Sequence, residues 1–205
     1  MATEVVGALN LRKALNQYAP DLAKELTKEL GAVLKPIVKD ARGFVPAESP
    51  MSGWAPRSFY NGKFPTYNAS VIKSGIVYKT SPSQTNRAGF RNTIRIQNKS
   101  MIGAIYETAG RKNGQGQEWV GPNAGGLSKG VSRSPNPYAG NQFISNLGNL
   151  YGSMKGNDHR MMGRLIFRAW AKTQGKANLA VIRSIENTSK KFNERSQIVD
   201  LRRAA

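Results

Sequence analysis

The stretch LNLRKALNQYAPDLAKELTKELGAVLKPIVKDARGFVP, Leu9–Pro46, decides how this chain folds. Leu11, Leu15, Tyr18, Leu22, Leu26, Leu30 or Val33, and Ile37 recur at steps of three and four, which places them on one stripe of a 3.6-residue period and predicts helix over 9–42. Charged residues fill the other face. Pro20 lacks an N–H and suits the first turn of a helix, so a break is expected near Ala19, with the main helix from about 20 to 42. Pro36 should kink that helix without ending it, because the stripe continues through Ile37, Val38 and Ala41. Gly43 supplies a C-terminal cap, and Pro46 blocks continuation.

Beyond the helix, residues 43–68 hold four prolines and the aromatic side chains of Phe44, Trp54, Phe59, Tyr60, Phe64 and Tyr67, so extended or turn structure that docks on something is expected. Alternation at Val71–Lys79 and Phe90–Asn98 predicts two antiparallel strands, with the Ser-, Thr-, Pro- and Asn-rich Thr80–Ala88 as the loop of a hairpin. Ile102–Thr108 is short and apolar, which leaves a helical turn and a third strand both open. From Gly110 to about Gly163 the chain is rich in Gly, Asn and Ser, longer than an ordinary loop, and fits either a disordered arm or a segment ordered by a partner. Order should return at Arg164–Trp170. A closing helix over about Lys176–Glu194, with Val181, Ile185, Thr188 and Phe192 on one face, should pair with the first helix across a face of the sheet. The expected fold is α+β: one domain over 1–205, with long N- and C-terminal helices on a small antiparallel sheet and a Gly/Asn-rich arm at about 111–163.

The net charge of +19 is unevenly spread. Residues 1–48 carry +1, residues 49–157 carry +11, and the last 48 carry +7. The first helix is thus balanced, and the basic field belongs to the segments behind it, which favours polyanions or an acidic protein partner. Cysteine is absent, so disulfides and thiolate metal sites are excluded. No apolar run has the length of a signal core or a membrane span, since Glu4, Arg12 and Lys13 interrupt the N-terminal region, and a soluble chain is expected.

Groups suited to catalysis are few. His159, the single histidine, lies among Asn157, Asp158 and Arg160 and fits a solvated loop. No phosphate-cradling loop is present, because Gly62-Lys63 is followed by Phe64 and Gly175-Lys176 by Ala177. Glu107 and Glu118 are the carboxylates of the basic middle, and a hydrolase would need them as acid and nucleophile. The alternative is that Glu107 pairs with a nearby cation such as Arg111 or Lys112. No cofactor and no metal is expected. Arg87, Arg91, Arg95 and Lys99 recur every four residues and are the candidates to face DNA or an acidic partner, although a basic strand face is also an ordinary solvated one.

A long amphipathic helix closing on Ala41-Arg42-Gly43-Phe44-Val45-Pro46, then Ser49-Pro50-Met51-Ser52-Gly53-Trp54, a strand pair and Ala104-Ile105-Tyr106-Glu107-Thr108-Ala109-Gly110 resembles the tail-completion or head–tail joining proteins of long-tailed bacteriophages, the minor tail protein Z-like family. Ala41, Arg42, Pro46 and Gly53 match the first pattern, and Tyr106, Glu107 and Gly110 the second. The likeness covers about residues 9–110, and the 111–163 stretch departs from it. It implies a non-catalytic ring subunit, hexameric, at the virion neck between head connector or stopper and tail terminator or tail tube, assembled in the host cytoplasm, with transient contact to viral DNA in the lumen and none to a membrane. Phe44, Trp54, Arg57, Phe59, Tyr60, Tyr106, Glu107, Arg111 and Trp119 are the candidate subunit or partner contacts. A DNA-binding protein is the alternative, and a cell-wall hydrolase a weaker one.

Overall fold

The computed structural model describes residues 8–51, 54, 65–85, 87, 91–92, 94–116, 118, 135–152 and 162–204. Their elements run α1 (Ala8–Tyr18), α2 (Pro20–Gly43), α3 (Ala69–Gly75), β1 (Ile76–Lys79), β2 (Arg95–Asn98), α4 (Met101–Thr108), α5 (Ala139–Leu147), β3 (Tyr151–Gly152), β4 (Met162–Gly163) and α6 (Ile166–Ala204). β1 pairs with β2, and β3 with β4, in two small antiparallel sheets, an α+β fold. Where one domain was expected, the chain forms two compact units, one from 1–37, 78–96 and 173–205, the other from 38–77 and 97–172.

In the first unit the helix break falls where Pro20 places it, between α1 and α2. The stripe Leu15, Ala19, Leu22, Leu26 and Leu30 is buried, and Leu11, Ile94, Val181, Ile185 and Phe192 pack on it. The expected pairing of first and last helices is therefore present. Its rim carries Lys191–Glu25 and Arg195–Asp21 ion pairs, and the Arg195 hydrogen bond holds the Asp21 carboxyl below the usual carboxylate range. α2 runs on through Pro36, which lies on the exposed face together with Ala32, whose carbonyl loses its helical donor there and can turn to water.

The second unit buries Val38, Ala41, Val45, Trp54, Tyr67, Ile72, Ile76, Ile102, Tyr106, Leu147, Leu165 and Ala169. Three expectations change here. The first half of the Val71–Lys79 strand is helix α3: Asn68 caps it by accepting from Val71 N at 3.0 Å, and Ile72, Gly75 and Ile76 are buried at helical spacing while Val71 is exposed. Likewise, of the described residues in the expected strand over 90–98, Arg95–Asn98 form β2 and Arg91, Asn92 and Ile94 do not; Phe90 and Thr93 lie outside the described residues. Ile102–Thr108 resolves as helix α4, because the Ser100 hydroxyl accepts from Gly103 N at 3.0 Å. Replacing the buried Ser100 by Ala should cost about 1 kcal/mol, measurable as a shifted midpoint in chemical denaturation.

The Gly/Asn-rich stretch also contains more regular structure than its composition suggests. α5 ends on Gly148 at φ 74, the left-handed conformation that a helix terminus favours in glycine, and the β3–β4 ribbon follows. α6 begins ten residues before the expected start and spans 39 residues, through the exposed Gly175, whose position meets no neighbouring atom. One glycine costs a helix only about 1 kcal/mol, too little to divide a segment with buried residues on both sides of it, Ala169 before and Ala177 after.

Candidate functional site

The C-terminal end of α4 and the start of α6 are tied in the second unit by one acid and one base. Glu107, 4% exposed, accepts backbone N–H bonds from Leu165 at 2.5 Å and Ile166 at 3.2 Å on Oε2, and from Phe167 at 3.0 Å on Oε1. A carboxylate there meets the unsatisfied donors and positive dipole end of α6. Burial pushes the Glu107 carboxyl up, opposed by the three N–H donors and by Arg111. The close approach requires Gly163, where a Cβ would lie 2.2 Å from Glu107 Oε1. Arg164, 3% exposed, donates through Nε to Gly148 O at 2.9 Å and through Nη1 to Tyr106 O at 3.1 Å and Ala109 O at 2.7 Å, so one guanidinium satisfies the carbonyl ends of both α4 and α5.

Beside this pair lies an aromatic cluster. Trp54, 1% exposed, meets Tyr67 edge-on at 5.3 Å, Phe143 at 5.4 Å and Tyr106 in a stack at 6.4 Å. Its Nε1 donates to Pro65 O at 2.9 Å, and Tyr67 OH donates to Pro46 O at 2.6 Å. Burial pushes the Tyr67 hydroxyl up to about 12. Arg168 lies over Phe44 at 4.1 Å and over Tyr151 at 4.5 Å, a cation between two rings.

In the first unit, three guanidinium groups converge on one short run of backbone. Arg12 donates to Thr80 O, Arg95 to Ser81 O at 2.9 Å and Arg91 to Ser83 O at 3.0 Å. Ser83 N in turn donates to Asn92 O at 2.8 Å, which closes the expected hairpin. These carbonyl contacts fix the directions of three guanidinium groups and gather them on the hairpin.

The candidates thus separate. Trp54, Tyr106 and Glu107, expected to contact a neighbour, are interior to the second unit; Phe44 and Arg111 are partly exposed at its edge. Glu107 does not pair in contact with Arg111 or Lys112 but caps a helix 58 or more residues away in sequence. Arg111 instead lies over Phe167 at 4.8 Å. Of the basic series, Arg91 and Arg95 come together on the hairpin with Arg12, which periodicity did not reveal; Arg87 and Lys99 are exposed. Arg57, Phe59, Tyr60, Trp119 and His159 lie outside the described residues. Arg164 and Arg168 were missed, although the run Arg164-Leu165-Ile166-Phe167-Arg168, with two cations bracketing apolar residues, marks them.

Among the described residues no group of three His, Cys, Asp or Glu could hold a metal ion, and no helix is long and apolar enough to cross a membrane. Set against models of protein families, curated proteins and solved structures, the chain matches none.

Proposed function

We propose that this protein is a non-catalytic structural component of a bacteriophage virion, a ring subunit of the neck that joins the tail tube or tail terminator to the head connector or stopper. One observation carries the reading: the residues behind the resemblance serve as framework. Ala41 is fully buried, Arg42 donates to Ile76 O at 3.1 and 2.8 Å, the Pro46 carbonyl receives Tyr67, the Tyr106 carbonyl receives Arg164, and Glu107 caps α6. Gly110, at φ 84, makes the turn after α4. A motif that consists of braces suits a part whose task is to hold shape between neighbours. It suits a hydrolase poorly, because both oxygens of Glu107 are engaged while Glu118 is exposed. The expected sites of action are the virion neck and, during assembly, the host cytoplasm.

The mass of the purified chain, alone and mixed with tail-tube protein, tests this. A discrete ring, hexameric, is expected in at least one of the two conditions, and a monomer in both would overturn the reading. The hairpin arginines favour a second reading, DNA binding. That one predicts tight association with DNA whose affinity falls steeply between about 50 and 200 mM salt, whereas the neck reading predicts weak binding throughout.

A further inference from the structure

A groove of about 650 Å³ in the second unit opens between the turn after α4 and the first half of α5. That volume is within the range of about 300–1,000 Å³ typical of ligand sites. Its shape is built in advance. Gly110 and Gly116, at φ 84 and 83, let the chain lie directly against α5, where a Cβ at Gly116 would stand 2.4 Å from the Gly140 backbone. The side chains of Asn141 and Gln115 hydrogen-bond across the gap.

Its chemistry is one-sided. Phe143 and Ile144 form an apolar wall, and Arg111, Lys112 and Asn113 form the polar end. Among the described residues no carboxylate lines it, and Glu107, whose charge acts on Arg111, has both oxygens committed to α6. Arg111 Nε and Nη2 are buried with no hydrogen-bond partner, so the guanidinium charge has no contact counter-ion among the described residues. The first turn of α5, whose N-cap Tyr138 provides no side-chain acceptor, forms part of the rim of a site set by the two cations.

From this combination we infer that the groove binds an acidic–aliphatic segment of a protein partner, a side-chain carboxylate on Arg111 and Lys112 with a neighbouring aliphatic side chain on Phe143 and Ile144. Charge complementarity selects the acid, and the wall selects the aliphatic group. A nucleic-acid strand fits less well, because the Phe143 ring is packed on Trp54 and is not a free stacking platform. The site stands on the groove alone and does not depend on ring assembly.

The test uses the full chain and a panel of fluorescein-labelled, end-blocked hexapeptides, each with Asp or Glu beside Leu, Val or Ile. Binding is expected for members of the panel, with amide shift changes centred on Gly110, Gly116 and Gly140, and loss when the acid becomes Asn or Gln. Lys112 is exposed, so Lys112→Glu should leave thermal unfolding unchanged while weakening binding by about tenfold or more, as expected when a charge-assisted contact is removed. Lys79→Glu, a reversal of the same size in the other unit, should leave affinity unchanged. The proposal is overturned if no peptide binds, if both reversals weaken binding equally, or if a DNA oligonucleotide displaces the peptides as well as an unlabelled peptide does.

Discussion

Glu107→Ala lowers the stability of the second unit by roughly 3 kcal/mol, the net expected when three backbone donors lose a charged acceptor and one buried charge is removed. For a chain of this size that corresponds to a melting temperature lower by roughly 6–12 °C. Glu107→Gln should lose about half as much. Its amide oxygen can occupy the Oε2 position and keep the Leu165 and Ile166 bonds, while its NH2 group faces the Phe167 N–H donor to donor. Hydrogen exchange locates the damage: protection at Leu165–Phe167 should fall before that of the α1–α2 core. If the Ala variant unfolds within about 0.5 kcal/mol of the parent, as an ordinary surface change would, then Glu107 is not the brace described.

Trp54→Ala should cost about 3–5 kcal/mol, the range for deleting a large buried aromatic. The indole is almost fully enclosed and touches Tyr67, Tyr106 and Phe143, which come from three separate stretches of chain. Its loss leaves a cavity among all of them and orphans the Pro65 carbonyl. Trp54→Phe retains much of the apolar contact but not the Nε1 bond, so it should lie between the parent and the Ala variant. Denaturant titration measures both. An Ala variant that loses less than the Phe variant would place the stabilisation outside the cluster.

Legibility in the sequence followed the range of the interactions. α1, α2 and their break were readable because a repeated leucine spacing and one proline are local signals, and Val181, Ile185 and Phe192 announced the opposing face. Over Val71–Gly75 the expected strand is helix α3, because a short run with branched residues fits a strand and a helix alike. Asn68, a capping residue three positions before Val71, was the signal that separates them. Glu107 was assigned to nearby cations because its partners lie 58 to 60 residues away, beyond any spacing rule. Of the aromatic residues after α2 that were expected to dock, Trp54 and Tyr67 do so against their own unit, while Phe59, Tyr60 and Phe64 lie outside the described residues. The arginine convergence on Thr80–Ser83 needed Arg12, which sits in a different element.

The glycines carry a consequence of their own. At Gly75 a Cβ would fall 2.7 Å from Ser100 Cβ, at Gly103 2.2 Å from the Asn98 amide, and at Gly163 2.2 Å from Glu107. Each is missing a side chain because a polar neighbour occupies its place. Abundant glycine is commonly taken as a mark of slackness, yet at these three positions it marks clearances so tight that even a methyl group is one atom too many.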